Sequence, residues 1–101
     1  MNNKYKNAAL DQLFECILTL KTLDECYAFF DDVCTIHELQ AIAQRFQVAR
    51  MLSQSKTYVE IAEKTGASTA TISRVNRFLQ YGSGGYQAAL ERLNEQGKAD
   101  F

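Results

Sequence analysis

Ser68, Thr69, Thr71 and Ser73 place four hydroxyls within six residues, and Arg74, Asn76 and Arg77 follow at once. No Asp or Glu lies between Lys64 and Leu90. Hydroxyls and unpaired backbone amides at the start of a helix suit phosphate oxygens, helped by the positive end of the helix dipole. Ala70 and the threonine methyls let a helix approach closely and touch a thymine methyl, and Arg74 is long enough for a forked contact with guanine. Asn76 or Arg77 could reach a base edge or a phosphate. Lys56 and Thr57 stand where a preceding helix would begin, placed for the flanking backbone. These are the residue types of a surface that reads nucleic acid, to be weighed against an ordinary solvated helix face.

Other chemistry has less support. Cys16, Cys26 and Cys34 are ten and eight residues apart, an odd set with no C-x-x-C, and His37 is the single histidine. The cysteines read as small buried or half-buried hydrophobes on helices rather than a disulfide set, redox centre or zinc site. Ser68 and Ser73 lack a partner base, and His37 falls in the first turn of a helix. With no nucleophile–base pair, metal-ligand spacing or phosphate loop, the sequence predicts no catalytic residues, no metal, no cofactor and no enzyme.

The elements that must carry the polar face are helical almost throughout. Leu10, Leu13, Phe14, Ile17 and Leu20 recur at three- and four-residue spacing and predict a helix from about Tyr5 to Lys21. Thr22-Leu-Asp-Glu25, Thr35-Ile-His-Glu38 and Thr57-Tyr-Val-Glu60 each have the form of a capping box, in which hydroxyl and carboxylate serve the free amides of a helix start. The first opens a helix with Leu23, Cys26, Tyr27 and Phe30 on one face. The second opens a longer helix, with Leu39, Ile42, Phe46 and Ala49 inward, to about Leu52. The third opens a short helix ending near Lys64. Ser68 or Thr69 caps a fifth helix running to about Gln80. Gly82-Ser-Gly-Gly85 is a break, and Tyr86, Ala89, Leu90 and Leu93 mark a sixth helix. Strand-like alternation is missing, so the fold class is all-α, six short helices.

The segment from about 57 to 80 has the form of a helix-turn-helix. Helices that cross steeply need a small residue at the contact and a left-handed turn between them. Ala62 offers the first and Gly66 the second. Ile61, Ala67, Ile72 and Val75 then face the core, leaving the hydroxyl and arginine face outward, in a helix about 18 Å long that fits a major groove.

The chain of 101 residues reads as a single domain, 1–101, with 47% apolar and 23% charged residues. It has no apolar run of about 18 residues, so no membrane span, and its first residues lack the form of a secretory signal. The expected location is the cytoplasm. The net charge of −1 conceals a division. Residues 1–40 hold three cations against seven carboxylates, whereas residues 45–77 hold six against two. A polyanion is steered by that local field rather than by total charge. The first helix is apolar nearly all round, which asks for neighbours one small chain struggles to supply. A homodimer with the N-terminal helices in its interface is expected.

Residues 42–79, IAQRFQVARMLSQSKTYVEIAEKTGASTATISRVNRFL, resemble the Trp repressor superfamily, most closely its YerC/YecD branch. The core A-x-x-x-G-A-S-x-A-T-I-S-R, Ala62 to Arg74, carries the likeness, and agreement in helix order extends over nearly the whole chain. The resemblance implies an intertwined homodimer whose first three helices and last form a shared core. Two projecting reading heads would address half-sites about 34–36 Å apart on double-stranded DNA. It also implies two arginines that clamp a small-molecule effector, matching Arg45 and Arg74. Val75 and Phe78 depart from the tryptophan-binding pattern, in which smaller residues make room for the ligand. Both are expected to fill that space, so tryptophan is not the expected corepressor. Arg45 would then pair with a carboxylate on a neighbouring helix or bind another small anion.

Two functions follow. The first is a sequence-specific DNA-binding transcriptional regulator, a repressor acting by occupancy of a roughly palindromic operator. The alternative is an all-helical dimeric protein-interaction module that uses its basic middle for a protein partner.

Overall fold

The computed structural model describes residues 6–98. Among them are six α-helices and no strand: α1 (Ala8–Ile17), α2 (Leu23–Val33), α3 (Ile36–Ser53), α4 (Tyr58–Thr65), α5 (Thr69–Tyr81) and α6 (Gly85–Glu95). The expected start of the first helix at Tyr5 lies outside the described residues. Contacts gather into two compact units, Met1–Leu39 and Gln40–Phe101.

Side chains set most of the helix starts. Thr22, Thr35, Thr57 and Ser68 accept from the amides of Glu25, Glu38, Glu60 and Thr71 at 3.1, 3.2, 3.1 and 3.1 Å. The reciprocal half of the capping box closes at Thr35, whose amide donates to Glu38 Oε1 at 2.8 Å. Glu25 reaches one residue further back and accepts from the Lys21 amide at 3.3 Å. That arrangement ends α1 four residues earlier than periodicity predicts. Thr22 is extended, so the chain must leave the helix before it. Thr19 and Leu20 close a tight turn instead, donating to Cys16 and Ile17 carbonyls, each at 3.0 Å.

In the first unit, α1 and α2 bury no residue. Phe14, Leu18, Leu23, Tyr27, Val33 and Ile36 are all exposed, Leu18 by 83%. Covering a large apolar side chain contributes roughly 1.5–3 kcal/mol, so six of them represent on the order of 10 kcal/mol not realised within one chain. Cys16 is exposed, against expectation, while Cys26 and Cys34 are half-buried; all three are free thiols.

The second unit has a core. Val48, Ala49 and Met51 of α3, Ile61 of α4, Ala67 of the turn, Ile72 and Val75 of α5 and Leu90 of α6 are buried together. Phe46, Leu52, Ala62, Leu79 and Tyr86 pack around them. Phe46 lies against Tyr86 with ring centroids 6.5 Å apart. The core stripe of α3 therefore lies in its C-terminal half, while Ile42, expected inward, is 48% exposed.

Gly82 ends α5 because no larger residue fits. Its amide donates to the Phe78 carbonyl at 2.9 Å, and a Cβ would stand 2.4 Å from that oxygen. Gly82→Ala should cost about 1–3 kcal/mol through this overpacking, read as a lowered denaturant midpoint with an unchanged slope.

The capping box at α3 is pH-sensitive. The Thr35 backbone amide, and after it the Thr35 side chain, hold the exposed Glu38 carboxyl below its ordinary value of 4.5. A depressed carboxylate contributes stability present above its unfolded pKa and lost as pH falls through the folded one. Glu38→Gln should therefore flatten part of the fall in thermal midpoint below about pH 4.5; an unchanged acid limb would show that the box does not form.

Candidate nucleic-acid interface

The interface begins where α3 stops. Ser55 takes a left-handed conformation (φ 62), and the amides of Ser55 and Lys56 donate back to the Leu52 and Met51 carbonyls at 3.0 and 3.1 Å. This closed end turns Lys56 and Thr57 outward at the start of α4, both exposed. The Thr57 hydroxyl accepts from Glu60, which leaves its own proton available.

Between α4 and α5 the turn is three residues, Gly66-Ala67-Ser68. Gly66 is left-handed (φ 74), and its amide donates to the Ala62 carbonyl at 2.9 Å. Thr65 organises the rest. Its hydroxyl donates to the Ile61 carbonyl at 2.7 Å and accepts from the Ala67 amide at 3.1 Å. Its carbonyl accepts from Gln44 Nε2 of α3 at 3.1 Å, tying the turn to the long helix.

Ser68, rather than Thr69, caps α5. Its hydroxyl accepts from the Thr71 amide and donates to Thr71 Oγ1 at 3.1 Å, so the Thr71 proton is the one left for a ligand. Thr69, Ala70, Ser73, Arg74 and Arg77 are exposed with Ser68, whereas Thr71 and Asn76 are half-buried. At about 100° per residue, Ala70, Ser73 and Arg77 share one stripe, opposite Ile72, Val75 and Leu79. Asn76 lies beside the core stripe, and its carboxamide bonds Tyr58 and Gln80. Among the described residues, Lys56, Arg74 and Arg77 make no ion pair.

Arg74 lies on the flank of the outward stripe. With Arg45, Val75, Phe78 and Tyr86 it lines a cleft of about 260 Å³. Val75 is buried in the core, as expected. Phe78 is not: its ring is 55% exposed and forms a wall shared with a second cleft of about 420 Å³. Of the two bulky residues, only Val75 fills space from within. Arg45 makes no ion pair among the described residues, so the carboxylate partner expected for it is not found there.

Gln44, Tyr58, Thr65 and Gln80 were not among the residues the sequence singled out. Thr65 has a local sign, a hydroxyl one turn beyond Ile61. Gln44 has none, since nothing in a helical period marks a bond to a residue twenty-one positions away.

A short helix, a left-handed three-residue turn and a second helix with an outward hydroxyl and arginine face define a helix-turn-helix protein. The chain belongs to the Trp repressor protein family, which it matches over residues 8–94. It is 58% identical over 93 residues to the uncharacterised protein YerC of Bacillus subtilis, covering 92% of this chain and 89% of that one. Two solved structures are similar. A Staphylococcus aureus protein provisionally described as a Trp repressor superposes with TM-score 0.87 at 55% identity, over 90% of this chain and 91% of that one. A TrpR-like protein from Eubacterium eligens gives TM-score 0.88 at 62% identity, over 92% and 96%. Membership places the chain among regulators rather than enzymes.

Gly66 provides a test of the turn. Nothing lies within 4 Å of a Cβ added there, so the whole cost of Gly66→Ala is backbone strain at φ 74. That cost should be about 1–2 kcal/mol, measured by chemical unfolding, with Gly66→Asn intermediate.

Proposed function

We propose that the protein is a sequence-specific DNA-binding transcriptional regulator that acts as a homodimer in the cytoplasm, a repressor working by occupancy of a roughly palindromic operator. The observation that carries this reading is the outward face of α5. Ala70, Ser73 and Arg77 form its stripe, Ser68 and Thr69 its N-terminal edge and Arg74 its flank, with Lys56 and Thr57 beside it. No carboxylate falls from residue 65 to 90, the stretch that holds Arg74 and Arg77. Phosphate contacts from Lys56, Thr57, Ser68, Thr69 and Thr71 would set the register, and side chains of the stripe would read bases. The homodimer is supported by the uncovered apolar residues of α1 and α2. A second copy offers the same side chains in a self-complementary arrangement, and two heads on one axis address two half-sites.

An effector, if one acts, enters the cleft between Arg45 and Arg74. Two arginines lining a mostly apolar cleft suit a small anion. Tryptophan is disfavoured because Val75 fills the floor with branched carbon.

The deciding experiment is selection of bound fragments from random double-stranded DNA by the purified protein, followed by titration across salt. Arg74→Ala should cost about 1–3 kcal/mol on the selected site and relax discrimination there. Lys56→Ala should weaken all sites evenly and, acting once in each of two protomers, lower the salt slope by about 2. Enrichment of no sequence, with partner binding indifferent to salt, would favour the alternative of a dimeric protein-interaction module.

A further inference from the structure

Asn76 occupies an unusual place on α5. It follows buried Val75 and lies one turn beyond buried Ile72, so it borders the core stripe and is itself half-buried. Both ends of its carboxamide are engaged. Nδ2 donates to Tyr58 Oη of α4 at 3.4 Å, and Oδ1 accepts from Gln80 Nε2 at 3.0 Å. An asparagine that reads adenine needs the same two atoms, one to accept and one to donate. Here the protein itself uses them.

The position of the contact matters. Gln44 and Thr65 hold the head at its turn, and the buried Ile61, Ile72 and Val75 keep the two helices together, but apolar contact sets their angle less sharply than a second directed bond. The Tyr58–Asn76 contact joins the first residue of α4 to the middle of α5, away from that turn. Two fixed points define an angle. A swing of about 10° over a helix about 20 Å long moves its far end by about 3 Å, more than a hydrogen bond to a base edge tolerates.

We propose that Asn76 is a positioning residue of the reading head and not a reader of bases: with Tyr58 and Gln80 it fixes the angle at which α5 is presented. The proposal rests on the DNA-binding reading above and deepens it. Asn76 thereby leaves the set of residues that touch DNA, and the outward stripe is Ala70, Ser73 and Arg77.

A double-mutant cycle tests it. Tyr58→Phe removes only the hydroxyl, Asn76→Ala removes the carboxamide, and Gln80→Ala, at an exposed position, releases Oδ1 without touching the core. Each is measured for binding to the site selected by the unsubstituted protein, for discrimination at every base pair, for salt slope and for thermal unfolding without DNA. Tyr58→Phe and Asn76→Ala should each weaken binding about 3- to 10-fold, across all base pairs and with the salt slope unchanged. The double variant should be no weaker than the worse single one, and Gln80→Ala should show a smaller loss of the same kind. An Asn76→Ala effect confined to one base pair, with Tyr58→Phe neutral, overturns the proposal, as do additive effects. If the unsubstituted protein selects no sequence, the DNA reading itself falls. Coupling of Tyr58 and Asn76 in thermal unfolding would then separate that failure from absence of the contact.

Discussion

The helix-turn-helix depends on one small apolar cluster. Its helices are 8 and 13 residues long, too short to hold their shape in water by backbone hydrogen bonds alone. Ile61 and Ile72, one from each helix, are wholly buried beside Val48 of α3, with Val75 almost so. Removing any of these from water is what makes the turn, the caps and the polar bonds worth forming. Gly66 and Thr65 then select one geometry among those the cluster would tolerate. The cluster is also why α5 can carry an almost wholly polar outer face: its inner stripe supplies the stability, and the outer one is left for other contacts.

The two units of the chain are unequal in this respect. Residues from Gln40 onward contain every buried side chain among the described residues, whereas α1 and α2 contain none. Hydrogen-bonded caps define where α1 and α2 begin, but a cap of about 1 kcal/mol does not replace a missing core. Leu18, Leu23 and Tyr27 are therefore left uncovered within the single chain, which is the ground for the second copy proposed above. The acidic character of this part agrees with the same division of labour, since it would be repelled by the polyanion proposed as the partner of the basic part.

Much of this was legible in the sequence because it is local. The three Thr-x-x-Glu starts, Ser68, and the set Ile61, Ala62, Gly66, Ala67, Ile72 and Val75 each declare themselves within a turn or two of chain. The core residues Val48 and Met51 did not, because α3 is apolar on several sides and its period does not say which side is covered. Phe78 misled for a related reason. A bulky apolar residue near a pocket reads as filling, and only the surroundings reveal that it stands at a rim. Asn76 and Gln44 were opaque in another way: a carboxamide looks the same in sequence whether its partner is a base, a tyrosine or a distant carbonyl.

Arg74 is where these strands meet, because two neighbours compete for it. On one side is the outward stripe of α5, where its charge favours phosphate and base edges. On the other is Arg45, across a cleft with no carboxylate to separate the two cations. Like charges in a partly enclosed, mostly apolar space repel more strongly than in open water, which is the ground for the anion proposed there. An anion held between them, as proposed above, would draw the Arg74 side chain inward and cancel charge close to the side proposed to face DNA. The same anion would also stiffen the flank of α5, which would favour a fixed presentation of Ser73 and Arg77. The first effect would weaken attraction for any polyanion, whereas the second would sharpen recognition of a particular one. The balance between them would shift with salt, because screening would remove the first and leave the second.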